Sequence, residues 1–205
     1  MHWRLLTDWH VGVTSSVVSL LDREVAALEE SFDRRVHDPD DFLEDTEHLL
    51  GLGLVAIQQY LRATRETIRV VLTSESIEAP SMTGLLRGFG DVVAGTTDLR
   101  EVHAVWHLAN YWKHHDEWHD DWAVEGATSR LSAVTVHGLA SLGIDNRTEY
   151  PCVSGVKRLV RSARLEPLLE RAISWREACL TAYVPGAVQQ LAAPNEPVAD
   201  QDRSR

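Results

Sequence analysis

The hydrophobic positions of the chain recur at the spacing of an α-helix over most of its length. Apolar side chains return every three or four residues in 14–36 and again in 41–74. Glycine and proline then interrupt the pattern, which predicts a loop with a short helix at 83–93. Further helices are predicted at 98–122, 128–142, 155–164 and 167–183. No convincing strand alternation is present, so the predicted fold class is all-α, a helical bundle of about five to seven helices.

Length and composition favour a single domain. The chain has 205 residues, of which 44% are hydrophobic and 25% charged, as in ordinary globular proteins. We therefore predict one helical domain over residues 1–191. The final stretch, 192–205, is polar and contains proline, which predicts a disordered tail.

The charge balance and the N-terminus limit the partners and the compartment. A net charge of −11 argues against a broad positive surface for nucleic acid, although it leaves room for a local basic groove. Asp8 and His10 interrupt the N-terminal apolar stretch, so no secretory signal peptide is expected. No run approaches the roughly 20 apolar residues of a membrane span. The expected location is the cytoplasm, without a membrane partner.

The predicted helix 98–122 has an unusual composition. Residues 100–122 hold five of the ten histidines and four of the seven tryptophans. On a helix, His103, His107, Asn110 and His114 recur along one stripe that aromatic rings flank. Histidines beside buried rings can have shifted pKa values, which suit proton transfer. A structural reading stays open, because His and Asn also serve as hydrogen-bond partners for buried Trp and Tyr.

The segment LANYWKHH resembles the signature of the HEPN superfamily, in which an Arg, usually followed by a polar residue such as Asn, precedes a His by a few residues. Asn110 and His114 match the Asn and the His. Ala109 stands where the family has Arg, so this copy is expected to be inactive or to use another cation, such as Lys113. A second placement keeps an arginine, with six residues between Arg100 and His107.

The resemblance implies a small helical bundle from a defence or toxin–antitoxin type system. Many HEPN proteins are metal-independent ribonucleases whose site is completed across a homodimer. The candidate catalytic residues are then Arg100, His107, Asn110 and His114, with RNA as the partner and no cofactor. A histidine would move the proton of the attacking 2′-hydroxyl, and Arg100 would hold the phosphate. The basic run KRLVRSAR, residues 157–164, could guide the RNA backbone, or it could be a solvated helix face.

Two other functions are compatible with the sequence. An acidic helical bundle without a catalytic motif can be a non-enzymatic module that binds a protein partner, as antitoxins, immunity proteins and adaptors do. Alternatively, His103 and His107 lie four residues apart, which lets both imidazoles bind one divalent metal ion from a single helix. Glu44, Glu47 or His48 of the preceding long helix could complete such a metal site.

Overall fold

A computed structural model describes residues 7–34, 38–118, 122 and 130–184. Seven α-helices lie within this part of the chain, and the all-α prediction is confirmed. A short 3₁₀ turn, His115–Glu117, follows the fourth helix. The helices are α1 Val11–Asp33, α2 Pro39–Ser74, α3 Met82–Gly88, α4 Glu101–His114, α5 Arg130–Ser141, α6 Pro151–Val160 and α7 Glu166–Tyr183.

The long helix α2 is the central element, because α1, α4, α6 and α7 all pack against it. Its start follows from local chemistry: Pro39 occupies the first turn, and the Asp38 carboxylate accepts a hydrogen bond from the Asp40 backbone N at 3.0 Å. Its buried stripe contributes Leu50, Leu54, Ile57 and Leu61, none of which is exposed to solvent. These side chains join one buried apolar cluster that includes residues of all the described helices.

Two glycines let neighbouring elements approach α2 closely, as glycines inside a predicted helix indicate. A Cβ atom at Gly51 would lie 2.1 Å from Cδ2 of Trp112 in α4. At Gly53 it would lie 2.1 Å from Cδ1 of Leu165, the residue before α7. The glycines cost helix stability, and the large side chains packed over them offset that cost.

Carboxylates from other helices hold the starts of α6 and α7. The Glu47 side chain accepts hydrogen bonds from the backbone N of Cys152 and of Val153, each at 2.8 Å. Asp22 accepts equivalent bonds from Leu165 at 2.8 Å and from Glu166 at 2.9 Å. The sequence-based prediction of a loop up to residue 155 was wrong, because a carboxylate from α2 satisfies the first free N–H groups of α6.

Helix α4 is shorter at both ends than the predicted range 98–122, and Asp98, which its position at the start of that range predicts as the N-cap, does not cap it. Backbone pairing keeps the preceding residues extended: Val93 N donates to Leu99 O at 2.8 Å, and Arg100 occupies the N-cap position. After His114 the chain tightens into the 3₁₀ turn and then becomes extended at Trp118.

Some predictions concern residues outside the described part. They are Gly126, which the sequence predicts as the stop after the helix 98–122, the domain limit at residue 191 and the disordered tail 192–205. Among the described helices, none combines the length and the apolar character needed to cross a membrane.

Candidate functional site

A cavity of about 570 Å³ opens between α4, α5 and the segment that leads from α3 into α4. Its size falls within the usual range for small-molecule sites in proteins. Most of its polar lining carries cationic or imidazole groups. The lining residues are Arg87, Val92, Thr97, Asp98, Leu99, Arg100, His103, His107, Ala133, Val134, His137, Gly138 and Ser141.

Helix α4 supplies two of the three histidines that line the cavity. His103 and His107 are one helical turn apart, and their ring centroids lie 4.2 Å from each other. Helix α5 covers them with Gly138, where a Cβ atom would lie 2.2 Å from Cδ2 of His107. The absence of a side chain at Gly138 therefore makes room for the His107 ring.

Burial keeps both rings uncharged at neutral pH. His103 is 6% exposed and His107 3% exposed. Burial, with the Arg87 charge, lowers the pKa of His103 to about 4. Burial and then the neighbouring His103, Arg87 and His137 lower the pKa of His107 to about 3. Nδ1 of His107 is buried and makes no hydrogen bond within the described residues, so this ring has unused capacity to bind a polar group.

Two arginines line the cavity, and they differ in their hydrogen bonds to the rest of the protein. Arg100 Nη1 donates to the Gly90 carbonyl at 2.8 Å and Nε donates to the Arg87 carbonyl at 3.3 Å. These bonds anchor residues 87–90 and leave the other N–H groups of Arg100 for a ligand. Arg87 is exposed and has no carboxylate partner in the described part of the chain. A negatively charged ligand would accept hydrogen bonds from the guanidinium groups of both Arg87 and Arg100.

The four predicted catalytic residues fall into two separate places. Arg100 and His107 line the cavity together. Asn110 lies outside its lining, and its Oδ1 accepts a hydrogen bond from Gln58 Nε2 at 2.8 Å. His114 lies outside as well, with Nδ1 located 3.3 Å from Glu117 Oε1. Ala109, which stands where HEPN proteins have an arginine, is fully buried in the core.

Sequence reasoning missed Arg87, His137 and Gly138. The sequence signal that could have identified α5 as part of the site is the pair His137 and Gly138 in an otherwise apolar helical pattern. A glycine inside a helix is unfavourable unless something packs against it, as it does at Gly51 and Gly53. His137 is exposed at the rim and sits beside that glycine, so the same pair brings an imidazole to the cavity.

The described residues contain no group of three or more His, Cys, Asp or Glu side chains that could hold a metal ion. His103 and His107, the residues of the metal alternative, are adjacent, but no third such ligand joins them in the described part of the chain.

Comparison of the chain with models of known protein families, with curated proteins and with solved structures found no match.

Proposed function

We propose that this protein is a HEPN-like helical ribonuclease that cleaves RNA without a metal ion, in a defence or toxin–antitoxin type system. One observation supports it above the others: Arg100 and His107, the two residue types of the family signature, line the same cavity. That cavity also holds His103, His137 and Arg87, so cations and imidazoles outnumber the single carboxylate, Asp98.

The chemistry follows from the protonation state of the rings. A neutral imidazole accepts a proton, so His107 or His103 can take the proton of a ribose 2′-hydroxyl as its oxygen attacks the adjacent phosphorus. The bond from phosphorus to the 5′-oxygen then breaks, and a general acid returns a proton to that oxygen, for which His137 is the imidazole at the rim of the cavity. Arg100 and Arg87 stabilise the charge on the phosphate oxygens. A phosphate beside the buried rings also favours their charged form and opposes the depression of their pKa values.

A homodimer belongs to the proposal, because the family resemblance implies a site shared by two copies. Val92 and Val134 line the cavity and are 39% and 53% exposed, respectively. A second copy that packed across the opening would cover these two side chains.

A second candidate function is a non-enzymatic module that binds a protein partner. The specific support is an exposed apolar stripe at the N-terminal end of the chain. Trp9 and Val13 are each 70% exposed, Val17 is 38% exposed and Leu20 is 48% exposed. Within α1, the spacing of four and three residues places Val13, Val17 and Leu20 on one face, and Trp9 lies in the turn before the helix. Exposed apolar faces commonly bind other proteins.

The deciding experiment is cleavage of a mixed RNA substrate in the presence of EDTA. We expect wild type to cleave, His107→Ala to lose at least about a hundredfold in rate, and His114→Ala to stay close to wild type. His114→Ala is the matched control, because it removes the same ring from outside the cavity. Circular dichroism would show that each variant is folded.

If His114→Ala lost cleavage and His107→Ala kept it, the catalytic site would lie at Asn110 and His114 and not in the cavity. Absence of cleavage by a folded wild-type dimer would remove the nuclease proposal and favour the binding module.

A further inference from the structure

One face of α4 leads away from the cavity. His103, Trp106, Asn110 and Lys113 are separated by three, four and three residues, so they lie along a single stripe of the helix. The stripe starts in the cavity, at His103, and extends for about 15 Å at the helical rise per residue. Trp106, Asn110 and Lys113 are partly exposed, in contrast to His103 and its buried neighbours in α4.

A buried glutamine of α2 fixes the orientation of the Asn110 amide. Gln58 Nε2 donates to the Trp106 carbonyl at 3.3 Å and to Asn110 Oδ1 at 2.8 Å. The Trp106 carbonyl can only accept, so the nitrogen of Gln58 must face it. Asn110 therefore uses its oxygen inside the protein, and its NH₂ group makes no hydrogen bond within the described residues. The Asn110 amide can therefore offer a ligand only hydrogen-bond donors.

Two cations accompany that donor. The Arg62 guanidinium of α2 lies 5.6 Å from the centroid of the Trp106 ring. No carboxylate of the described residues comes within 4.0 Å of the side-chain nitrogens of Arg62 or Lys113. Burial lowers the pKa of Lys113, and the Arg62 charge lowers it further, so the two cations are close enough to repel each other. An anion between them would relieve that repulsion.

We propose that Arg62, Trp106, Asn110 and Lys113 form a binding track for single-stranded nucleic acid. The three polar side chains present only donors, which bind phosphate oxygens, and an unpaired base would stack on the part of the Trp106 ring that Arg62 leaves exposed. An acidic polypeptide would satisfy the cations but would gain nothing from the ring. Because the stripe of α4 that carries Trp106, Asn110 and Lys113 begins at His103 in the cavity, the track would hold the strand that enters the cavity. This role rests on the proposed ribonuclease function, whereas the binding itself does not.

The test measures binding without cleavage. A fluorescent 2′-O-methyl RNA 12-mer has no free 2′-hydroxyl, so its anisotropy reports affinity alone. We expect the double variant Arg62→Glu with Lys113→Glu to bind about tenfold more weakly or worse, and its salt slope to fall by about 1.4 for two lost phosphate contacts. Trp106→Ala should weaken binding, and Trp106→Phe should restore part of it. The same sequence as a duplex should bind more weakly than the single strand.

A matched control carries the same change of charge elsewhere. Arg23 of α1 and Arg147, between α5 and α6, are exposed and lie outside the track, so Arg23→Glu with Arg147→Glu should bind within about twofold of wild type. The inference is overturned if this control loses as much affinity as the track variant, or if wild type does not bind the oligonucleotide at low salt. Poly-glutamate competing as well as the oligonucleotide would also overturn it, in favour of an acidic protein partner.

The two proposals can fail separately. Binding that depends on the track, in a protein that cleaves no RNA, would support the track and remove the ribonuclease. Cleavage of RNA with equal affinity in wild type and the Arg62–Lys113 variant would remove the track and leave the ribonuclease.

Discussion

The histidine-rich segment 100–122 has two halves that both carry histidines but differ in their surroundings. His103 and His107 are 6% and 3% exposed beneath α5, and they line a cavity. The side chains of His114 and His115 are 49% and 35% exposed, and they contact acidic residues beside them in sequence, Glu117 and Asp116. The difference shows that a histidine becomes a candidate for chemistry here through the helix that covers it, since burial is what shifts its pKa.

Acid should affect the buried half most. A histidine in the unfolded chain gains a proton as the pH falls below about 6.5, whereas the folded pKa values are about 4 for His103 and about 3 for His107. Below pH 6.5 the unfolded state therefore binds more protons than the folded state. The stability that the two neutral rings contribute is fully present above pH 6.5 and is lost as the pH falls towards 4. Each ring contributes a loss of up to about 1.4 kcal/mol per pH unit in this window.

Urea unfolding at pH 7, 6 and 5 measures this loss. His107→Leu, which keeps an apolar side chain in the space, should flatten the curve between pH 6.5 and 5. His114→Gln should follow the wild-type curve because it lies outside the cavity. If the free energy of unfolding fell equally with pH in wild type and in His107→Leu, burial would not distinguish the two halves of the segment in their response to acid.

The packing of α5 over the buried half gives the next largest effect. Gly138→Ala places a Cβ atom 2.2 Å from the His107 ring, so the ring or the helix must move. We expect a loss of about 1–3 kcal/mol in the free energy of unfolding. Gly12→Ala in α1 is the control: no atom lies within 4 Å of its added Cβ, and alanine should stabilise that helix by up to about 1 kcal/mol. Thermal or urea unfolding reports both values, and equal effects at the two glycines would contradict the close packing.

The exposed half should give the smallest effect. His114 Nδ1 and Glu117 Oε1 are 3.3 Å apart, with side chains 49% and 72% exposed. Solvent screens such a pair, so Glu117→Gln is expected to change the free energy of unfolding by less than about 0.5 kcal/mol. A loss above about 1 kcal/mol in urea unfolding would show that the 3₁₀ turn depends on this contact and would weaken the contrast between the halves.

The number of helices could be predicted because their apolar periodicity is a local property of the chain. The close packing over Gly51 could also be predicted, since a glycine inside a helix costs stability unless it faces a bulky neighbour. The start of α6 could not, because the group that stabilises it, the Glu47 carboxylate, lies 105 residues away in sequence from Cys152. The end of α4 was also missed, since composition does not distinguish the last helical turn from the 3₁₀ turn that follows.

For the candidate site, the sequence by itself determined which residue types share one helix and which of them share a stripe, because the 3.6-residue period is intrinsic to the backbone. It left the Arg100–His107 and Asn110–His114 placements as alternatives. Only the tertiary structure decided that Arg100 and His107 share a cavity, and that Arg87 and His137 join them from other helices. The physical reason is that burial and cavity formation depend on elements distant in the chain, and no local pattern records which helix will cover which face.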